Sequence, residues 1–145
     1  MRLLIQRVSK ASVKVEEKCV GKINKGFLVF LGITHEDTKD NVDYLVNKLY
    51  NLRVFEDENE KMNLSIKDIN GEILIVSQFT LYADTSHGNR PSFINAAKPD
   101  KANEFYKYFI EKAKQTGLKI EAGIFGADMK VELLNDGPVT ILLEK

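Results

Sequence analysis

The stretch G-E-I-L-I-V-S-Q-F-T-L-Y-A-D, from Gly71 to Asp84, is where an apolar run gives way to polar side chains. Its four consecutive apolar residues, Ile73 to Val76, are typical of a strand that is covered on both faces. Ser77, Gln78 and Thr80 follow directly. Buried hydroxyl and amide groups destabilise a protein unless they are hydrogen-bonded. These residues therefore either pair with neighbouring backbone at a strand end or form the floor of a pocket.

Two further stretches bear on that choice. The polar, glycine-containing segment T-S-H-G-N-R-P-S-F, Thr85 to Phe93, predicts a long loop of the kind that carries function. Near the C-terminus, N-D-G-P-V-T, Asn135 to Thr140, lies between two predicted apolar strands. Proline cannot donate to a strand ladder, and a Gly-Pro bond in a tight connection can adopt the cis form. Taken alone, this motif indicates a structural turn.

Taken together, S-Q-F-T-L at Ser77 to Leu81 and N-D-G-P-V-T at Asn135 to Thr140 resemble the paired signature of the D-aminoacyl-tRNA deacylases, the D-tyrosyl-tRNA deacylase family. The resemblance extends to M-R-L-L-I-Q-R-V at the start, to G-N-R-P-S-F at Gly88 to Phe93 and to G-I-F-G-A-D-M at Gly123 to Met129. One stretch departs from the family pattern: T-S-H-G at Thr85 to Gly88 stands where a lysine-bearing loop is expected.

Composition narrows the class of protein. The chain has 145 residues, of which 43% are hydrophobic and 29% charged, and this predicts a single globular domain spanning residues 1–145. A single cysteine, Cys19, and the lack of a signal-peptide pattern or a membrane-length apolar run favour a cytoplasmic protein with no membrane partner. The net charge of zero, taken alone, argues against a general nucleic-acid binder, and no DNA partner is expected. Six lysines between Lys98 and Lys119 indicate either a solvated helix face or a modest guide for one RNA end.

The periodicity predicts an α/β fold, a many-stranded and barrel-like sheet with two main helices, as in the D-aminoacyl-tRNA deacylase-like fold that the resemblance implies. One helix is capped at Asp37 or Thr38 and buries a stripe at spacings of three and four: Val42, Leu45, Val46 and Leu49. The other starts at Pro99, is closed by Gly117 and buries a second stripe: Ala102, Phe105, Tyr106, Phe109, Ile110 and Ala113. Predicted strands occupy Met1 to Leu31 in several pieces, and the later ones are Leu118 to Glu121, Met129 to Leu134 and Val139 to Leu143.

A conventional hydrolase with Ser77 or Thr80 as nucleophile needs a base within hydrogen-bond reach and a third group that orients this base. The only two histidines, His35 and His87, lie in predicted loops, and Ser77 lacks the G-x-S-x-G setting. In an extended strand, Ser77 and Thr80 would also point to opposite faces. No ligand spacing for a metal is present, so neither a metal nor a cofactor is expected.

The resemblance implies a different chemistry, in which the 2′-hydroxyl of the tRNA assists hydrolysis of the ester. The residues expected to form the pocket and the oxyanion site are Ser77, Gln78, Phe79 and Thr80. Backbone N–H groups of Phe79 and Thr80 would hold the carbonyl oxygen, and the side chains of Gln78 and Thr80 would position the 3′-terminal adenosine. Thr80 is accordingly not expected to be a nucleophile.

The resemblance also implies how D and L substrates are separated. In the family, a Gly-cisPro pair from one subunit enters the pocket of the other, where its carbonyls hold the substrate ammonium and block L side chains. Here that pair is Gly137 and Pro138, with Arg7 as its support, and Phe125 and Met129 would line the same cavity. The expected partners are thus the aminoacylated 3′ end of tRNA and a second copy of the chain. Glycyl-tRNA, which has no side chain to block, should also be hydrolysed.

Two other functions compete with the editing esterase. A non-catalytic module that binds RNA ends or peptides would fit the lysines of the second helix and the polar loop. A conventional serine or threonine amidase would act on D-amino acid derivatives without RNA.

Overall fold

The computed structural model of the chain describes residues 1–145, which form eight β-strands and two α-helices. The strands are β1 (Arg2–Val15), β2 (Lys18–Ile23), β3 (Gly26–Gly32), β4 (Arg53–Glu56), β5 (Met62–Ser65), β6 (Glu72–Ser77), β7 (Lys119–Ala122) and β8 (Lys130–Glu144). The helices are α1 (Lys39–Asn51) and α2 (Pro99–Lys114), and a short 3₁₀ helix covers Phe79–Tyr82. The predicted α/β fold with two main helices is confirmed.

Six strands form one curled sheet, while β4 and β5 form a separate hairpin. Strand β8 runs antiparallel along one edge of β1, whereas β3 and β2 pair in succession with the other edge. Strands β6 and β7 extend the sheet from β3 in parallel. The sheet curls until β2 approaches β6 and β7. A methyl group placed on Gly21 of β2 would lie 3.0 Å from Leu74 Cδ1 of β6 and 3.1 Å from Ala122 O of β7. This curl confirms the predicted barrel-like sheet.

Strand β6 is buried on both faces, as its apolar run predicts. Ile73 and Ile75 belong to the larger core, which lies between the sheet and the two helices. Leu74 and Val76 belong to a smaller core inside the curl of the sheet. The helices bury the stripes expected from their spacing: Val42, Leu45, Val46 and Leu49 in α1, and Ala102, Phe105, Tyr106, Phe109 and Ala113 in α2. The remaining residue of the predicted α2 stripe, Ile110, is half-buried. Neither helix is long and apolar enough to cross a bilayer.

The C-terminal region differs from the prediction of two separate strands. Strand β8 is one strand of 15 residues, and its pairing with β1 steps from Gln6–Thr140 to Val8–Asn135. Four residues, 136–139, therefore stand opposite a single residue of β1, Arg7, and form a bulge. The two predicted strands are joined because β1, with 14 residues, is long enough to pair with both halves. The strands predicted in several pieces from Met1 to Leu31 are β1, β2 and β3.

Candidate active site

A cavity of about 670 Å³ opens where the parallel strands end. The carboxyl ends of β3, β6 and β7 lie at one edge of the sheet because these strands run in the same direction, and ligands of α/β sheets commonly bind outside such ends. Twelve of the 18 lining residues are hydrophobic, so the cavity suits a partly apolar ligand with a few polar anchors. The first residues beyond the end of β6, together with its last residue, contribute to the wall: Ser77, Gln78 and Phe79.

The chain changes direction at Gln78. The N–H of Gln78 donates the last strand-like bond, to Leu31 O at 2.8 Å, and the 3₁₀ helix begins at Phe79. The first bond of its turn runs from Leu81 N to Gln78 O, at 3.3 Å, and the Gln78 side chain does not cap the helix. The N–H groups of Phe79 and Thr80 precede that bond, so the turn itself offers them no acceptor. The turn therefore leaves two backbone donors free where the chain passes from the cavity wall into the 3₁₀ helix.

The structure separates the two candidate hydroxyls, but for another reason than the one expected. The strand does not stay extended, because Gln78 has φ −145° and ψ 82° and a helical turn follows. The argument that Ser77 and Thr80 would point to opposite faces of an extended strand therefore does not apply. Ser77 is half-buried in the cavity wall, whereas Thr80 is exposed, lies outside the lining and accepts a hydrogen bond from the Gln78 side-chain amide.

No histidine lines the cavity. The Nε2 atom of His35 lies 2.7 Å from Ile94 O. His87 is exposed in the loop that follows the 3₁₀ helix. Ser77 consequently has no imidazole that could take its proton. The cavity can hold and polarise an ester, but it does not present a Ser-His pair.

The segment after β7 also lines the cavity, through Phe125 and Met129. It is tied to β6 by Tyr106, whose hydroxyl lies 3.0 Å from both Ile75 O and Gly123 O. Burial raises the pKa of this hydroxyl to about 12, so it stays a protonated donor at neutral pH. Helical spacing predicted Tyr106 only as part of the apolar stripe of α2, because spacing does not reveal what a hydroxyl bonds to.

The bulge of β8, residues 136–139, lies outside the cavity of its own chain. Gly137 and Pro138 are exposed, are joined by a cis peptide bond and do not line the cavity. Arg7 is buried beneath them, where its Nε donates to Asp136 O at 2.9 Å and its Nη1 donates to Val54 O at 2.6 Å. The side chain of Asn135 accepts a bond from Val139 N at 3.0 Å. The bulge is thus held from both ends.

Comparison with known proteins then decides the family. A family model described as D-Tyr-tRNA(Tyr) deacylase matches residues 4–144 of the chain. The chain belongs to this deacylase family. The D-aminoacyl-tRNA deacylase of Clostridioides difficile (strain 630) is 58% identical over 144 residues, covering 99% of this chain and 97% of that protein. The D-aminoacyl-tRNA deacylase of Fusobacterium nucleatum subsp. nucleatum is 61% identical over 144 residues, covering 99% and 95%.

Solved structures agree with the deacylase assignment at the level of fold. The "c-Myc DNA Unwinding Element Binding Protein" superposes with a TM-score of 0.94 at 45% identity, covering all of this chain and 99% of that one. A "probable eukaryotic D-amino acid tRNA deacylase" superposes with a TM-score of 0.86 over 98% of this chain and 97% of that one. At 17% identity, the second likeness concerns the fold alone.

Membership of the deacylase family confirms the predicted enzyme class, a hydrolase of the aminoacyl-tRNA ester. Within this deacylase, the structure brings Ser77, Gln78 and Phe79 together with Phe125 and Met129 around one cavity. It leaves four of the predicted residues outside the cavity lining: Thr80, Gly137, Pro138 and Arg7. The cavity also has lining residues that were not predicted to lie in it: Phe93, Ala96, Lys98 and Asp128.

Proposed function

We propose that this chain hydrolyses the ester of D-aminoacyl-tRNA to free D-amino acid and tRNA and rejects the L form. The observation that carries the proposal is the apolar cavity whose wall includes Ser77, Gln78 and Phe79, in a chain of the deacylase family. An aminoacyl ester on tRNA is already activated, so the protein has mainly to position the carbonyl, stabilise the developing negative charge and exclude wrong substrates.

In the proposed reaction, water attacks the ester carbonyl and the ribose oxygen leaves with a proton. The N–H groups of Phe79 and Thr80 donate to the carbonyl oxygen as it gains charge, because these donors precede the first bond of the turn. The ribose 2′-hydroxyl next to the ester orients or activates the water. The absence of histidine from the cavity wall supports a hydroxyl supplied by the substrate rather than a Ser-His pair. Gln78 and Thr80 side chains then position the terminal adenosine.

Chiral selection is assigned to Gly137 and Pro138 of a second copy of the chain. Both residues are exposed and lie outside the cavity of their own chain, so they could reach such a cavity only in another copy. Backbone carbonyls there would bind the substrate ammonium and occupy the space of an L side chain. Their position would not depend on a flexible rotamer, and Arg7 supports it through its bond to Asp136 O. Glycyl-tRNA would pass this barrier, because glycine has no side chain to exclude.

A homodimer follows from this arrangement and has support on the surface of β8. Leu133, Leu134 and Leu142 flank the bulge and are 37%, 54% and 50% exposed. Exposed leucines along a strand at the edge of a sheet are typical of a surface that a partner covers. The second copy would therefore both complete the site and bury this apolar surface.

The proposed activity is tested by incubating the purified protein with D-tyrosyl-tRNA, L-tyrosyl-tRNA and glycyl-tRNA and measuring the ester that remains. Rapid loss of the D and glycyl esters with the L ester preserved is the expected result. The variant Ala96→Phe provides a matched control, because it places a ring in the cavity at a residue with a partly buried side chain. It should stay folded and lose activity. Equal hydrolysis of the D and L esters, or hydrolysis of neither, would refute the proposal.

A second candidate is a nucleic-acid-binding protein without hydrolytic activity. It is favoured by the description of the solved relative at 45% identity, a DNA-unwinding-element-binding protein, and by lysines of the α2 region that form no ion pair: Lys98, Lys107 and Lys114. Such a protein would bind charged and uncharged tRNA equally and leave the ester intact. The same assay separates this binding protein from the deacylase. A small D-amino acid amide included in the assay identifies a conventional amidase, because only the amidase would hydrolyse it.

A further inference from the structure

The rim of the cavity carries two large aromatic rings that are not packed into the core. Phe79 is 53% exposed and Phe93 is 39% exposed, although both line the cavity. Their ring centroids are 5.0 Å apart with an interplanar angle of 70°, so they form an edge-to-face pair. Exposed aromatic faces at the mouth of a site are suited to stacking on a flat ligand group.

Phe93 is held in place by the backbone around it. The loop before it is closed by two hydrogen bonds between Asp84 and Ser92, at 2.8 and 2.9 Å. After it, Ala96 N donates to Phe93 O at 3.0 Å, and Thr34 Oγ1 donates to Asn95 O at 2.6 Å. The backbone at Phe93 is therefore held in place before a ligand arrives, which reduces the entropy lost on binding.

A free cation shares this rim. Lys98 lines the cavity, is exposed and lies within 4.0 Å of no carboxylate. The other charged residue of the lining is Asp128, and its carboxylate is paired with Lys130 at 3.0 Å. Lys101, three residues further along α2, donates to His35 O. Lys98 is thus the ammonium of the rim that remains available to an anion.

An exposed aromatic face beside an unpaired ammonium matches the two parts of a nucleotide, a base and a phosphate. We propose that Phe93 and Lys98 bind the nucleotide that precedes the terminal adenosine of the tRNA. Phe93 stacks on its base, and Lys98 pairs with the phosphate that joins the two nucleotides. This inference rests on the proposed deacylase function. If the ester carbonyl lies at Phe79 N–H, the terminal nucleoside occupies the cavity and the RNA leaves across the rim.

The subsite is tested by comparing D-tyrosyl-tRNA with D-tyrosyl-adenosine, which lacks the preceding nucleotide. In Phe93→Ala, the ratio of the KM for the tRNA ester to the KM for the adenosine ester should rise about tenfold, the usual effect of losing one stacked base. Phe93→Tyr should restore the wild-type ratio. Ile94→Ala is the matched control, because Ile94 is 76% exposed, adjoins Phe93 and does not line the cavity.

For Lys98→Gln, the same ratio should rise. The slope of log KM against log salt concentration for the tRNA ester should also become smaller by about 0.7, the value for one phosphate of a single strand. An unchanged ratio in Phe93→Ala, or a rise equal to that in Ile94→Ala, overturns the subsite. If the wild-type chain hydrolyses neither ester, the proposed deacylase function is wrong instead. Binding of a short RNA with a 3′-terminal adenosine then decides the subsite alone: equal Kd values for the wild type and Phe93→Ala overturn it.

Discussion

The hydroxyl of Thr80 is the natural candidate for a nucleophile by residue type, but its surroundings do not activate it. It is exposed, lies outside the cavity lining and accepts a hydrogen bond from Gln78 rather than from an imidazole. A hydroxyl attacks an ester efficiently only when an adjacent base removes its proton. At this position Thr80 can orient Gln78 and part of the substrate, which contributes less to catalysis than a nucleophile does.

We therefore expect Thr80→Ala to keep kcat within about tenfold of the wild type, since the loss of one hydrogen bond to a neighbouring group is worth about 1 kcal/mol. A D-aminoacyl-tRNA whose terminal ribose lacks the 2′-hydroxyl should lose at least about a hundredfold in rate, the contribution of a positioned acid or base. Single-turnover hydrolysis measures both. Complete loss of activity in Thr80→Ala, with unchanged melting temperature and tRNA affinity, would instead identify Thr80 as the nucleophile.

At the scale of elements, local pattern predicted helix α1 and strand β6 well, because capping, spacing and apolar runs are short-range signals. Thr38 caps α1, and all four residues of the predicted stripe are buried. The pattern failed at β8, where N-D-G-P-V-T indicates a connection, because the ladder that keeps both halves together belongs to β1, over 120 residues earlier. The sequence indicated Phe93 only as part of a polar loop and Lys98 only as part of a lysine-rich stretch, since only the folded chain brings them beside Phe79.

The link from helix α2 to strand β6 through Tyr106 carries a stability prediction. Tyr106→Phe should lower the free energy of unfolding by about 1 kcal/mol at neutral pH, because buried carbonyls of Ile75 and Gly123 lose a donor. Denaturation with urea measures this change. Phe125, whose ring centroid lies 5.9 Å from that of Tyr106, should remain in place because the ring of residue 106 is kept.

The same tyrosine predicts a pH dependence. Its pKa is raised by burial to about 12 in the folded chain, against about 10 when unfolded. The unfolded chain thus loses this proton first, so wild-type stability falls as pH rises from about 10 to 12 and is unaffected by this group below that range. Tyr106→Phe should have a flatter profile above pH 10. Burial also raises the pKa of Tyr82 to about 12, so part of the slope should persist in the variant.

At the scale of the whole molecule, the chain separates the two halves of the proposed site. The cavity lies at the carboxyl ends of β3 and β6, while Gly137 and Pro138 project from the bulge of β8 outside it. The sequence of one chain gives no physical sign that these parts meet, because the contact would lie between copies. Only the resemblance to a family suggested it, and an exchange of subunits can test it directly.

Two inactive variants should restore activity to one another when they share a dimer. Gly137→Ala disrupts the bulge, because residue 137 has φ +131° and a Cβ there would lie 2.8 Å from Val139 Cγ2 and 2.9 Å from Arg7 Nη2. Ala96→Phe blocks the cavity. A mixed dimer contains one intact cavity facing one intact bulge. After co-refolding of equal amounts, the mixture should reach about a quarter of the wild-type rate per chain, since half the dimers are mixed and each has one complete site.

Gly88→Ala serves as the control for backbone strain, because Gly88 has φ +72° and a Cβ there would have no neighbour within 4 Å. Like Gly137→Ala, this variant carries the strain of a positive φ, but it should stay active by itself. Both parents must first be shown to be folded dimers by their melting temperatures and by sedimentation. If the mixture of folded parents stays as inactive as each parent alone, the bulge acts on the cavity of its own chain. The assignment of chiral selection to the partner subunit would then be wrong, because a site built within one chain gains nothing from a mixed dimer.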